Sequence, residues 1–351
     1  MATTMKKAVI VAPGRVEIAE APVPVPGPHQ VLVRVKACGI CTMDQRLFTG
    51  RDQTGLYPML AGHEVAGIVE SVGPGVLAKV VPGDHVSLGL DNLNRCHQCE
   101  ACRRGYDNLC DSVLWLNRSG GEPVGPGGFA EYLVADGHRI FRVADDLAFA
   151  EAALAEPLAC VLRSVRKAQI RPGDVVVIVG AGTMGLLHLM LAKRALATVV
   201  ISEIIPARAA KARDLGADFV VDPAHEDFAA RIQEITSGHG ADVTFVAVGL
   251  ASVVEDAVRV AAKAGRVHCF ASVHPRGTTV SLDPNLFHGR EITLTGTVGQ
   301  DHEDMLRSVA LLSSKALDLK PLITKVYPLQ QATRAFEHTI KPDSYRVVLM
   351  M

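Results

Sequence analysis

No excess of either charge marks this chain. Lys and Arg number 36 and Asp and Glu 37, a formal net charge of −1 with the signs interspersed. The electrostatic footprint of a nucleic-acid binder or an anionic-membrane binder is therefore absent. No secretory signal is expected in the opening MATTMKKAVIVAPGRVEI, whose only apolar run, Ala8 to Ala12, is too short for the core of one. The one long stretch without acidic or basic residues, Val175 to Ala192, is broken by Gly180, Gly182 and Gly185. A β-branched run before them and a helical pattern after them read as buried strand, turn and helix rather than a membrane span. No internal repeat or low-complexity segment stands out. What remains is a chain of 351 residues, 48% apolar and 21% charged, long enough for two domains that each bury a core. The expected setting is the cytoplasm, with thiols reduced or metal-bound, and the expected partner is a small molecule.

Four of the 8 cysteines stand at Cys96, Cys99, Cys102 and Cys110, spaced C-x2-C-x2-C-x7-C. Thiolates set this close fit a tetrahedral zinc site with Zn–S of ~2.3 Å. An iron–sulfur cluster is the rival reading. The bacterial ferredoxin run ends C-x3-C-P, whereas here the last gap is longer and Asp111 follows Cys110. Disulfides are a further rival, and nothing in the chain points to the oxidising compartment they need. A closed four-thiolate sphere has no position for substrate, so such a zinc would pin a loop at about residues 91–111 and do no chemistry.

Up to about residue 150, short strands with Gly and Pro punctuation are expected, among them Lys7–Val11, Gln30–Ala37, Val65–Val72, His85–Leu88 and Phe129–Val134. APVPVPGPH (Ala21 to His29) marks an edge or a loop. Ala150 to Ala168 has helical spacing, and RPGD (Arg171 to Asp174) makes a turn. Strands are then expected at Val175–Val179, Val199–Glu203, Phe219–Val221, Val243–Val248, Arg266–Ala271 and Ile292–Thr295. Helices at Gly185–Leu196, Ala207–Leu215, Phe228–Thr236 and Ser252–Ala262 lie between them. This alternation implies right-handed βαβ units and a parallel sheet covered on both faces. The tail should hold a helix (Glu303–Ser313), a strand near Leu322–Val326 and a last strand at Arg346–Met350.

Gly180-Ala181-Gly182-Thr183-Met184-Gly185 is a G-x-G-x-x-G that follows VVVIV and opens a helix, the context this otherwise weak motif requires. Its glycines permit a tight turn, backbone approach to a pyrophosphate and close helix–strand packing. The pyrophosphate then meets the free N–H groups of a helix N-terminus. Glu203 ends the next expected strand, where a carboxylate accepts from a ribose 2′-hydroxyl and repels a 2′-phosphate; Ile204 and Ile205 bring no offsetting charge. NAD is therefore expected over NADP. The competing readings are mere close packing for the glycines and a solvated strand end for Glu203. The candidate cofactor set is Gly180, Gly182, Thr183, Met184, Gly185, Glu203 and Arg208.

Together with ACGICTMD (Ala37 to Asp44), GHEVAGIVESVGPGV (Gly62 to Val76), PGDHV and GGFAEY (Gly127 to Tyr132), these motifs resemble, over essentially the whole chain, the zinc-containing medium-chain dehydrogenase/reductases. The resemblance implies an α/β architecture. A GroES-like β-rich catalytic domain (1–155, re-entered at 298–351) would accompany a Rossmann-fold doubly wound parallel sheet (156–297), with the active site in the cleft between them. It implies two zinc ions per chain, one structural and one catalytic, and a homodimer or homotetramer. The catalytic zinc would be held by Cys41, His63 and Glu156, with Glu64 able to coordinate or support it. Asp44 would orient the histidine, as metal-bound imidazoles require. Cys38 competes with Cys41, but the family places the ligand three residues before the Asp. Thiolate, imidazole and carboxylate together form an open three-ligand zinc site. An alcohol in the open position would be acidified as zinc-bound water is, from ~15.7 to ~7, favouring hydride loss to a nicotinamide. Cys160 and Cys269 read as small buried residues, and His85, His97 and His188 as packing or solvent-facing.

One departure concerns the proton. Relatives carry Ser or Thr two residues after the catalytic Cys and often a histidine further on; this chain has Met43 and Arg46. A thioether relays no proton, so Thr42, or water escorted by Glu156 or Glu64, would have to serve. The carboxylate in AEPLAC resembles the polyol and threonine dehydrogenase branch. The expected reaction is NAD-dependent oxidation of a secondary hydroxyl on a polyol, sugar acid or cyclitol. A less polar alcohol is the alternative, if Met43 and Trp115 face the pocket. An NAD-binding protein with only the structural zinc is the alternative of another class.

Overall fold

Period-two patterning near the N-terminus becomes strands in the computed structural model, which describes residues 3–51, 57–90, 96, 98–111 and 124–351. β1 (Thr4–Ala12) and β2 (Arg15–Pro22) form an antiparallel hairpin. They are followed by β3 (Gln30–Ile40), α1 (Thr42–Phe48), β4 (Glu64–Val72), β5 (His85–Gly89), α2 (Glu100–Arg103), β6 (Tyr132–Asp136), β7 (Ile140–Arg142) and α3 (Phe149–Ala152). α1 starts at Cys41. The Met43 N–H donates to its sulfur at 3.1 Å, and Asp44 reaches back to accept the Cys41 N–H at 2.9 Å. This is a capping box built on a thiol in place of the usual hydroxyl. Asp44, Leu47 and Phe48 form the buried side of the helix.

α4 (Ala155–Ala168) leads into the alternating half: β8 (Val175–Val179), α5 (Thr183–Arg194), β9 (Thr198–Ser202), α6 (Pro206–Asp214), β10 (Phe219–Val221), α7 (Phe228–Ile235), β11 (Ala241–Val246), α8 (Ala251–Val260), β12 (Ala261–Cys269), α9 (Pro284–Arg290) and β13 (Thr293–Gly296). The strands are parallel in the order β10-β9-β8-β11-β12-β13, the doubly wound order of a dinucleotide-binding sheet. Val176, Val177 and Ile178 of β8 are wholly buried, as a strand covered on both faces must be. Arg266 of β12 fastens the end of α4, donating to the Ala168 and Gln169 carbonyls at 2.6 and 2.7 Å and to Asp174 at 2.8 Å. It thereby satisfies carbonyls that a helix C-terminus leaves open.

The tail holds α10 (His302–Ser313), β14 (Ile323–Pro328), α11 (Ala332–Thr339) and β15 (Arg346–Met350). β15 pairs antiparallel with β3, giving a sheet ordered β14-β15-β3-β4-β5-β7, with β6 also on β3. By contacts the chain divides into Met1–Ala159 with Gly299–Met351, and Cys160–Val298. Val33, Val35, Phe129, Phe336 and Leu349 belong to the core of the first unit.

Several elements go beyond the sequence expectation. α1 carries no Ser, Thr, Asp or Asn at its cap, so its start gives no ordinary signal. α11 buries only Ala332, Ala335 and Phe336, too short a stripe to stand out. The helix expected over Ala150–Ala168 is two helices, α3 and α4. Among the described residues no helix is long and apolar enough to cross a membrane.

Candidate metal and nucleotide sites

β3 ends where Cys41 opens α1, and β4 starts at Glu64, so these two element boundaries set Cys41 and His63 side by side. Ligand atoms of Cys41, Asp44 and His63 lie within 4.8 Å of one another, and so do those of His63, Glu64 and Glu156. His63 is the member common to both groups. Asp44, His63, Glu64 and Glu156 are all buried. Burial raises the Cys41 thiol to about 11, Asp44 adding to the rise and His63 opposing it. Burial presses His63 down, yet Cys41, Asp44 and Glu156 hold it well above its ordinary value. His63 Nδ1 and Glu64 Oε2 are buried without a hydrogen-bond partner, an arrangement that costs free energy unless something absent from the protein itself engages them. A thiol, an imidazole and carboxylates around two orphaned atoms form a donor set that suits zinc.

Asp44 was expected to orient the His63 ring. Its carboxylate instead accepts from the Cys41 N–H at 2.9 Å and the Gly62 N–H at 3.3 Å. It ties together the backbone on which Cys41 and His63 are mounted. Thr42 is exposed and Met43 half-buried.

Sequence reasoning missed Arg346. Its Nη2 lies 3.0 Å from Glu64 Oε1, with side chains 4% and 1% exposed, and its Nη1 donates to the Ile40 carbonyl at 2.9 Å. Burial raises the Glu64 carboxyl and Arg346 pulls it back. A Cβ on Gly39 would collide with Glu64 Oε2, so the pair needs glycine beside it. The only hint in the sequence is an arginine opening the apolar run RVVLM.

The four sulfurs of Cys96, Cys99, Cys102 and Cys110 also lie within 4.8 Å of one another, and none of the 8 cysteines is in a disulfide. The Cys99 N–H donates to Cys96 Sγ at 3.2 Å and the Cys102 N–H to Cys99 Sγ at 3.4 Å. Amides of Gln98 and Cys99 lower the Cys96 thiol to about 6, favouring the thiolate that binds metal. Cys38 is buried, whereas Cys160 and Cys269 are half-buried rather than fully buried as expected. His85 stacks on Phe149 at 4.6 Å, and His188 packs against Phe245 and Phe270 at 4.4 and 4.7 Å. His97 and Trp115 lie outside the described residues.

In the second unit, Gly180 has φ +99°, a conformation L side chains rarely adopt. A Cβ on Gly182 would meet nothing nearer than Arg208 Nη1 at 3.9 Å, while one on Gly185 would strike the Gly180 carbonyl. The middle glycine thus opens to free space and the third seals helix to strand. Gly182 caps α5 without a side-chain hydrogen bond, at the helix N-terminus where an anion is favoured. Glu203 is 7% exposed, not a solvated strand end. Its Oε2 accepts from the Ala181 N–H at 2.8 Å and its Oε1 from the Ile205 N–H at 2.9 Å.

Residues 27–145 match the model of the alcohol dehydrogenase GroES-like domain, and residues 183–314 that of the zinc-binding dehydrogenases. D-arabitol-phosphate dehydrogenase of Enterococcus avium is 32% identical, over 99% of this chain and 98% of its own. L-threonine 3-dehydrogenase of Pyrococcus horikoshii is 33% identical, over 95% of each. Among solved structures, one described as a zinc-binding dehydrogenase of Sinorhizobium meliloti 1021 bound to NADP superposes with a TM-score of 0.88, at 29% identity over 100% of both chains. With a GroES-like part, a doubly wound nucleotide-binding part and full-length relatives of this kind, the chain belongs to the zinc-containing medium-chain dehydrogenases and is an oxidoreductase of the zinc-type alcohol dehydrogenase class.

Proposed function

We propose that the protein oxidises a secondary hydroxyl of a polyol, sugar acid or cyclitol, using NAD. The observation that carries this is the pair of donor groups, Cys41 with Asp44 and His63 and His63 with Glu64 and Glu156, which share His63 and bring a carboxylate to where simple alcohol dehydrogenases more often have a thiolate. Cys41, His63 and Glu156 would hold the catalytic zinc, with Glu64, whose Oε1 pairs with Arg346, able to coordinate or support it through Oε2. When bound, zinc supplies Lewis acidity that acidifies a hydroxyl, and NAD supplies the hydride acceptor. The protein's own contribution is to fix the ligands through Asp44 and to keep the site buried. Met43 offers no exchangeable side-chain proton, so the hydroxyl proton leaves through water or the exposed Thr42. The relative from Enterococcus avium is named for a polyol phosphate, which supports a polyhydroxy substrate. An NADH-release screen across polyols, cyclitols, sugar acids and aliphatic alcohols tests the reading. Turnover confined to aliphatic alcohols would overturn it.

The preference for NAD rests on Glu203. Both of its oxygens are fixed by backbone amides, and each retains a lone pair for a ribose hydroxyl. The same charge repels a 2′-phosphate, so the choice differs from the NADP found in the Sinorhizobium structure. Glu203→Ala is expected to raise KM for NAD about ten- to hundred-fold, the range of a hydrogen bond to a charged group, and to narrow the advantage over NADP. Steady-state KM values for both cofactors check this. Equal use of NAD and NADP by the unmutated protein would refute it.

A further inference from the structure

Glu156 stands in a segment that has no other polar side chain. Ala152 to Ala159 reads AALAEPLA, and Ala152, Ala153, Leu154, Ala155, Leu158 and Ala159 are wholly buried. No neighbouring side chain within the segment can pin its backbone by a hydrogen bond. The pins come from the far end of the chain. Ser308 of α10 donates its hydroxyl to the Ala155 carbonyl at 2.6 Å, and the Leu319 N–H donates to Glu151 Oε1 at 2.9 Å, both bonds being buried. A third bond of the same seam, from the Ala144 N–H to Ser313 Oγ at 3.0 Å, engages the chain well before Glu156.

Ser308 lies on the buried face of α10 with Met305, Val309 and Leu312, and is itself wholly buried. A serine inside a helix usually turns its hydroxyl to its own preceding turn or to solvent. Here its one proton crosses to another helix. Alanine would suit the helix better and bury no polar atom, so packing does not account for the serine. The bond it makes has a direct geometric consequence. The Ala155 carbonyl belongs to the planar peptide unit that contains the nitrogen and Cα of Glu156. Holding that oxygen holds the point from which the Glu156 side chain departs. Glu64, the other carboxylate beside His63, is likewise held from late in the sequence, by Arg346. All of these residues belong to one compact unit.

We propose that Ser308 is a positioning residue for the metal site: through the Ala155 carbonyl it sets where the Glu156 carboxylate stands relative to His63. The proposal rests on the reading of Cys41, His63 and Glu156 as the zinc ligands. It gives α10, which follows the nucleotide-binding part of the chain, a task beyond packing, because the two carboxylates next to His63 take their places only when the returning chain has docked.

The test uses the full-length protein in three variants, Ser308→Ala, Glu156→Gln and Ser313→Ala. Zinc affinity is read by competition with a chromophoric chelator, and ligand geometry by the visible absorption of cobalt(II) put in place of zinc. Ser308→Ala is expected to weaken the zinc at Cys41 about three- to tenfold, the range of a single hydrogen bond, and to leave the zinc at Cys96 to Cys110 in place. Its cobalt spectrum should shift in the same direction as that of Glu156→Gln. Ser313→Ala removes a bond of the same seam without touching Ala155, so it should lose stability in urea while affinity and spectrum stay unchanged. If Glu156→Gln alters both readouts and Ser308→Ala neither, the proposal falls and the zinc reading stands. Equal changes in Ser308→Ala and Ser313→Ala would trace the effect to general packing and also overturn it. A Glu156→Gln variant with unaltered affinity and spectrum overturns the ligand reading, and the proposal with it.

Discussion

Cys41→Ala is expected to lower kcat/KM by about 10³-fold or more, equivalent to ~4 kcal/mol of transition-state stabilisation, and to reduce bound zinc from two ions per chain to one. The Cys41 sulfur lies within 4.8 Å of the His63 and Asp44 ligand atoms, whereas the sulfurs from Cys96 to Cys110 form a separate cluster. Loss of one site therefore leaves the other intact, and elemental analysis reads the two independently. The substitution also removes the helix cap seen in the Met43 N–H to sulfur bond of 3.1 Å, a loss of about 1 kcal/mol. Cys41→Ser separates the two effects. Its hydroxyl can cap α1 but is a poor substitute for a soft thiolate, so stability should return while activity stays low. Retention of both zinc ions by Cys41→Ala, or activity within tenfold of the unmutated protein, would sink the assignment.

What was legible in the sequence was local or periodic. VVVIV followed by a glycine motif reads as strand, turn and helix because period and punctuation both lie within a short window, and β8 and α5 form there. The cysteine ladder is legible for the same reason, its four sulfurs coming from one short stretch of sequence. Asp44 was visible as a carboxylate, but its hydrogen bond to the Gly62 amide joins two elements distant in the chain. Glu203 was legible as a strand-end acid, not as a residue whose burial and bonds to Ala181 and Ile205 lock the glycine turn. α1 went unread because a thiol caps it. Arg346 was invisible because its role exists only once β15 pairs with β3 and brings the C-terminal strand to Gly39 and Ile40. No pattern within the last strand announces a partner on β4.

Arg346→Met is expected to destabilise the protein by about 3–5 kcal/mol, the cost of leaving a buried charge without its counter-ion. Glu64 is 1% exposed, and its Oε1 is 3.0 Å from the arginine. With the cation gone, burial and the neighbouring Asp44, which push the Glu64 carboxyl upward, are opposed only by His63. The carbonyl of Ile40 loses its donor as well. Replacing both charges, in Arg346→Met with Glu64→Gln, should recover most of the loss, since a buried ion pair exchanged for uncharged groups of similar size is often close to neutral. Urea denaturation of the single and double variants measures this, with the coupling between the two sites as the readout. A single variant costing less than about 1 kcal/mol, or a double variant no more stable than the single, would show that the pair does not hold the site. The pairing also bears on chemistry. As long as Arg346 holds Oε1, only Oε2 of Glu64 is left without a hydrogen-bond partner, so its availability to a metal depends on a strand from late in the sequence.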